Sequence, residues 1–233
     1  MPSLYLIPVT LGETPHERVL PDYNKQVICS LRHFIVEEVR TARRFLKQVD
    51  RNIDIDALQF YPMGKHADAA LFSRYLEPLR QGESVGVVSE AGCPAVADPG
   101  ADVVAIAQRE GMQVVPLVGP SSILLAVMGS GFNGQSFAFC GYLPIDAAER
   151  ARKFKDMEQA IRRLDQTQIF IETPYRNNRL IAEMVKTLPK QMRLCVASDI
   201  TGPGEKILTR TIEQWGRMKY DYDKIPTIFL LYK

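Results

Sequence analysis

Two stretches of this 233-residue chain carry residues whose types and spacing suit chemistry. The first is Val85 to Ser122, VGVVSEAGCPAVADPGADVVAIAQREGMQVVPLVGPSS. It contains two loops of small residues, one with Ala91, Gly92, Pro94, Ala95 and Ala97, the other with Gly119, Pro120, Ser121 and Ser122. Little side chain stands between a ligand and the main chain there, so backbone amides and carbonyls are the available binding groups, while Gly and Pro shape the turns. Ordinary tight turns of an α/β domain use the same residues, and both accounts stand. Neither GxGxxG nor GxxxxGK followed by Ser or Thr occurs, which disfavours a nucleoside triphosphate or a nicotinamide dinucleotide as ligand. The second stretch is Arg40, Arg43, Arg44, Lys47 and Arg51. Their spacing puts them on one face of a helix, suited either to solvent or to the phosphates of RNA.

The elements that must position these residues follow from hydrophobic periodicity. Ser84 to Ser89 reads as a strand, followed by the first loop, a helix to Arg109, a strand from Gln113 to Val118, the second loop and a helix from Ser121 to Gly129. Both loops then sit at strand C-termini, the edge of an open α/β sheet at which ligands bind. Upstream, strands are expected at Leu4 to Val9, His33 to Glu38 and Asp56 to Tyr61, with an amphipathic helix from His66 to Leu79. Downstream come the strand Ser136 to Tyr142, the charged helix Ala147 to Leu164, the strand Thr167 to Glu172, the helix Arg176 to Thr187 and the strand Arg193 to Ser198. A hairpin-like pair, Lys206 to Ile212 and Thr227 to Tyr232, closes the chain around a short helix at Trp215. Strands alternating with helices in both halves predict two α/β domains with mixed sheets, residues 1–118 and 119–233.

Composition narrows the class. Lys and Arg number 29 against 27 Asp and Glu, for a net charge of +2, so any surface that attracts nucleic acid must be local. Cys29, Cys93, Cys140 and Cys195 are scattered, without a CxxC, and read as buried thiols in a reducing compartment. None of His16, His33 and His66 is spaced with a Cys or another His as metal ligands are, so no metal is expected. The first residues lack a basic segment followed by a long apolar core, and no apolar run approaches the roughly 20 residues that span a bilayer. A soluble, cytoplasmic protein without membrane association is the expectation.

The motifs also carry a resemblance. VSEAGCPAVADPG (Val88 to Gly100) resembles the VSDAGxPxxxDPG motif of the tetrapyrrole methylase-like, class III S-adenosylmethionine methyltransferases. Within that superfamily it is most similar to the 2′-O-ribose methyltransferase I subfamily, which acts on small-subunit ribosomal RNA. LVGPSS (Leu117 to Ser122) resembles that subfamily's LPGPSA, FCGYLP (Phe139 to Pro144) its FxGFLP, IETPYR (Ile171 to Arg176) its YESPHR, and EEVR (Glu37 to Arg40) its EDTR. PVTLGE (Pro8 to Glu13) aligns with the ATPxGN loop through Pro8 and Gly12, and ERARKFK (Glu149 to Lys155) resembles the KERRKRL region.

The resemblance implies S-adenosyl-L-methionine bent in a cleft between two domains, a methyl acceptor in small-subunit ribosomal RNA, and a homodimer. It assigns cofactor contacts to Pro8, Ala91, Gly92, Val96, Asp98, Ser121 and Ser122 of the first domain and the boundary loop, and to Tyr142, Leu143, Ala197, Pro226 and Thr227 of the second domain. Asp98, Ser121 and Ser122 suit helix caps equally well. Candidate bases or orienting groups for a ribose hydroxyl are Glu38 with Arg40 and Glu172 with Arg176. A salt bridge tying a strand end to the next helix is the alternative for each pair. Two segments depart from the subfamily. YPMGKH (Tyr61 to His66) replaces a His/Asn-rich YHEHN, and ASDITGPGE (Ala197 to Glu205) replaces ARELTKxHE, losing two cations that are candidates for contact with phosphate or acceptor. A tetrapyrrole or other small-molecule acceptor, and a non-catalytic module that binds cofactor and RNA or protein, are the competing functions.

Overall fold

The computed structural model describes residues 1–64 and 69–233, so the expected helix start at His66 lies outside the described residues. The chain forms two compact units, Met1–Ser121 and Ser122–Lys233.

The first unit contains strands β1 (Ser3–Ile7), β2 (His33–Val36), β3 (Gln59–Pro62), β4 (Val85–Val88) and β5 (Gln113–Pro116), in the order β3-β2-β4-β1-β5. Every pairing is parallel, so the expectation of a mixed sheet is corrected here. Each return to the sheet runs through helical segments, which is what parallel neighbours require. The helices are α1 (Asp22–Ser30), α2 (Val39–Val49), α3 (Ala69–Tyr75), α4 (Glu77–Arg80) and α5 (Gly100–Arg109). Strand alternation divides the core: Phe34 and Val36 join Ile28 and Leu46 on one face, while Ile35 joins Leu76 and Val103 on the other.

Three local expectations change. Asp22–Ser30, where periodicity predicts no element, is a helix burying Val27 and Ile28. The strand expected from Asp56 begins at Gln59, because Asp54 accepts a hydrogen bond from the Asp56 amide at 3.2 Å and winds Ile55–Ala57 into a 3₁₀ turn. The helix expected to reach Leu79 is broken into α3 and α4, with Pro78 in the first turn of the second piece, where its missing N–H costs nothing.

The second unit contains β6 (Phe137–Tyr142), β7 (Thr167–Ile171), β8 (Arg193–Ser198), β9 (Lys206–Thr211) and β10 (Thr227–Tyr232), with α6 (Ser122–Ser130), α7 (Ala147–Leu164), α8 (Asn177–Thr187) and α9 (Ile212–Arg217). The order is β6-β7-β10-β8-β9, with β6 parallel to β7 and the other pairings antiparallel, so this sheet is mixed. The hairpin expected between β9 and β10 does not form: β9 pairs with β8, and β10 lies between β7 and β8. The residues explain the placement. Ile228 to Leu231 are at most 2% exposed and need neighbours on both sides, whereas β9 carries exposed Lys206 and Arg210, charges suited to a sheet edge. Trp215 of α9 is wholly buried in this unit's core and donates its indole N–H to the Leu194 carbonyl at 2.9 Å.

Candidate functional site

Three loops at the C-terminal edge of the first sheet, after β1, β4 and β5, are stitched together by main chain. The Val9 amide donates to the Gly92 carbonyl at 2.9 Å, and the Ser89 hydroxyl reaches the same carbonyl at 3.1 Å. The Cys93 thiol lies 3.4 Å from the Pro120 carbonyl, and buried Asn24 donates to the Val118 carbonyl at 2.8 Å. Glycine is required at two points. A Cβ on Gly119 would overlap the Pro8 ring, and one on Gly92 would meet Leu11 at 3.0 Å and the Pro120 carbonyl at 3.3 Å while Gly92 holds φ at +71°. Pro8 and Gly92 are buried in these seams, Ala91 and Val96 are exposed, and Ser121 and Ser122 are half-buried.

Asp98 organises the longest of these loops. Its Oδ1 accepts from the Ala95 amide at 2.7 Å and the Gly100 amide at 2.9 Å, closing a turn in which Ala95 and Ala97 both take left-handed φ near 60°. It therefore serves the start of α5, with Pro99 preceding Gly100, the first helical residue. Burial raises its pKa, and the two amide hydrogen bonds only partly oppose that.

Strand β2 delivers the second cluster. Glu38 is exposed and caps α2, its carboxylate accepting from the Arg40 amide at 3.1 Å. The tie between this pair is thus carboxylate to backbone, and the Arg40 guanidinium is exposed. The preceding residue, Glu37, is not singled out by sequence, yet it reaches toward the loop after β4: its Oε1 lies 3.4 Å from the Glu90 amide. Thr41 of α2 donates to the Glu90 carboxylate at 2.6 Å. The Glu37 carboxyl is held above the usual carboxylate range, first by burial and then by the charges of Asp98 and Glu90. The available signal is strand parity: the buried run Phe34 to Val36 ends at Glu37, before the capping residue.

In the second unit the expected residues fall along one sheet edge. Tyr142 pairs with Ile171 of β7, Ile171 with Ile228 of β10, and Ile228 with Ala197 of β8, so a single row crosses four strands. Tyr142 and Pro226 are exposed, Thr227 is half-buried, and Leu143 and Ala197 are buried, Leu143 within the core. Just beyond the row, buried Glu172 accepts from the Thr173 amide at 2.6 Å and from Arg176 Nε and Nη2 at 3.0 and 2.7 Å. This pair borders a cavity of about 130 Å³, together with Arg179 and a second pair, Arg150–Glu183 at 2.8 Å.

Among the described residues no group of three His, Cys, Asp or Glu is arranged to hold a metal ion, and no helix is long and apolar enough to cross a membrane.

A Vibrio cholerae protein named ribosomal RNA small subunit methyltransferase I is 30% identical over 209 residues, spanning 88% of this chain and 67% of that protein. The chain belongs to the ribosomal RNA small subunit methyltransferase I family. A Bacillus subtilis protein of the same name is 27% identical over 217 residues, spanning 92% of this chain and 69% of that protein. No family model matches the chain. Among solved structures, the methyltransferase CobJ aligns with a TM-score of 0.63 at 15% identity, covering 99% of this chain and 93% of that one. Uroporphyrin III C-methyl transferase from Thermus thermophilus aligns at 0.57 with 16% identity, covering 99% of this chain and 97% of that one. These two likenesses establish the tetrapyrrole methylase-like fold.

Within the ribosomal RNA small subunit methyltransferase I family, the altered segment Ala197 to Glu205 has a structural account. Asp199 takes φ of +47° and accepts from the Gly204 amide at 2.7 Å. A Cβ on Gly202 would overlap that carboxylate, and one on Gly204 would lie 3.0 Å from it. Asp199 thus fills the space that side chains at 202 and 204 would need, and the two glycines accompany it.

Proposed function

We propose that the chain is an S-adenosyl-L-methionine-dependent methyltransferase that methylates a ribose 2′-hydroxyl of small-subunit ribosomal RNA, with the cofactor held at the loops that follow β1, β4 and β5. The observation that carries this reading is family membership over 88% of the chain, joined to a sheet edge built from the motif loops.

The residues suit that cofactor. Glu37 and Asp98 are carboxyls held above their usual range with no cation paired to either among the described residues, while Ala91, Val96 and their neighbours leave main chain accessible; a sulfonium or an amino group complements such a donor set. Pro8, Ala91, Gly92, Val96, Asp98 and Ser121 are assigned to hold it from the first unit. Ser122, Tyr142, Leu143, Ala197, Pro226 and Thr227 are assigned from the second. S-adenosyl-L-methionine supplies an activated methyl group when bound.

The protein's own task is to align an acceptor oxygen and take up its proton. Glu37, with its raised pKa, is the proton acceptor in this reading, and exposed Arg40 orients the acceptor strand beside Glu38, which caps α2. Arg176 is committed to Glu172, so that pair acts by orientation, not by proton exchange. A substrate of this kind places the protein in the cytoplasm, and a homodimer accompanies the reading.

The test is transfer of radiolabelled methyl from S-adenosyl-L-methionine to small ribosomal subunits and to naked ribosomal RNA, both from cells lacking the protein. Nuclease digestion locates the label. Label confined to one ribose, and lost on Glu37→Gln, is expected. Cofactor binding without label on either substrate would remove the RNA reading.

A further inference from the structure

A groove of about 860 Å³ runs along the first unit between the loop after β1 and one face of α2. Gly12, Thr14 and His16 line one wall, and Arg44, Lys47 and Arg51 line the other. The basic stripe expected from sequence divides here. Arg43 leaves it, pairing with Asp56 at 3.1 Å and lying 5.7 Å from the centroid of the Phe60 ring. Lys47 donates to the Arg51 carbonyl at 2.9 Å, closing the last turn. The guanidinium groups of Arg44 and Arg51 have no ion-pair or hydrogen-bond partner among the described residues, and both residues are exposed. Glu13 and Glu17 also border the groove, with Glu17 3.5 Å from His16.

On a chain of net charge +2, three cations on one wall are a local concentration, not a consequence of overall charge. They repel one another until an anion with repeated charges lies against them, and a phosphate backbone has that form. The facing carboxylates suit hydrogen-bond donors, which RNA displays as ribose hydroxyls and base amines. The loop that forms this wall is continuous with Val9, whose amide is bonded to Gly92, so the groove starts at the candidate site itself.

We propose that this groove carries the single-stranded RNA flanking the methylated nucleotide, with Arg44, Lys47 and Arg51 on its phosphates and Glu13 and Glu17 toward its hydroxyls and amines. The assignment rests on the reading of RNA as methyl acceptor.

The test compares the full chain with two triple variants, Arg44→Ala/Lys47→Ala/Arg51→Ala and, as a matched charge control in the second unit, Lys186→Ala/Lys190→Ala/Lys219→Ala. The probe is labelled, protein-free small-subunit ribosomal RNA, bound at salt concentrations between about 50 and 200 mM. The groove triple is expected to flatten the slope of log affinity against log salt by about 2, at roughly 0.7 for each single-strand phosphate that is no longer neutralised. The control triple is expected to leave the slope near that of the parent, and both variants to keep the parent's affinity for S-adenosyl-L-methionine. Equal slope changes in the two triples, or loss of cofactor affinity in the groove triple, would overturn the assignment. Binding and methylation by the parent with an unaltered slope in the groove triple removes the groove alone; absence of RNA binding by the parent removes the acceptor reading with it. Glu13→Gln/Glu17→Gln is expected to keep the slope and weaken the preference for RNA over DNA of the same sequence. An unchanged preference overturns the role of those two carboxylates.

Discussion

The loop after β4 and the turn after β7 each hold a carboxylate, half-buried Asp98 in the first and buried Glu172 in the second, and they satisfy it with different partners. Asp98 is held by two backbone amides, with no cation among the described residues, and the loop adopts left-handed φ at Gly92, Ala95 and Ala97. A left-handed residue with a Cβ costs roughly 1–2 kcal/mol. Glu172 is held by a guanidinium and one amide, in a segment without a positive φ. The first turn is strained and short of positive charge, which suits a site awaiting a cationic ligand. The second is complete by itself, which suits a scaffold. The contrast assigns binding to the first turn and positioning to the second, and substitutions can overturn it.

The largest effect is expected from Asp98→Ala. Two amides lose their acceptor in a loop already strained, so denaturant unfolding should show a loss of about 2–4 kcal/mol, and cofactor affinity measured by calorimetry should fall by more than about tenfold. A loss of stability with unaltered affinity would move the cofactor away from this loop. Next is Arg176→Ala, which leaves buried Glu172 without its cation; with Arg176 half-exposed, the loss is that of hydrogen bonds to a charged group, about 1.5–3 kcal/mol. Adding Glu172→Gln should restore part of that loss, and a coupling of at least about 1 kcal/mol in the double-mutant cycle marks the pair as a positioning device. Retained methyl transfer in the double variant strengthens the contrast, whereas its abolition would return the pair to the chemistry.

Gly92→Ala should cost about 1–2 kcal/mol, because φ of +71° is unfavourable for Ala and Leu11 must yield space. The smallest effect concerns pH. The folded-state pKa of Asp98 is raised, so the native state binds the proton more tightly than the unfolded state. Its contribution to stability is present below the unfolded value and is lost as pH rises through the folded one. Stability measured against pH from about 3.5 upward should therefore fall relative to that of Asp98→Asn, which lacks the titration. The same substitution removes one charge that raises Glu37, whose pKa, followed by carboxyl NMR, should drop. A static Glu37 would separate the two carboxyls.

Much of this is legible without coordinates. Apolar alternation and small-residue punctuation mark β1, β2, β4, β5 and every strand of the second unit to within a few residues, because side-chain period is a local property of a strand. The helix Ala147–Leu164 is readable for the same reason, with Asp146 as its cap. The motif loops are readable because Gly and Pro requirements are written in single residues. Helix α1 is not, since its few apolar positions give a weak stripe.

Pairing and direction belong to tertiary packing. Strand β10 follows β9 in sequence yet docks between β7 and β8, a choice made by burial on both faces of Ile228 to Leu231. Of the adjacent acids Glu37 and Glu38, one turns toward the loop after β4 and the other caps a helix; their types are identical, and the alternation of side chains at the strand's end separates them. Arg43 leaves a stripe to which its spacing assigns it, because Phe60 and Asp56 lie on the neighbouring strand side. Sequence alone establishes which residues have each chemistry and which local elements carry them. Asp98, Glu172 and Glu38 find partners within a few residues, whereas Val9 meets Gly92 and Glu37 meets Glu90 across tens of residues, and there long-range packing selects among chemically equivalent candidates.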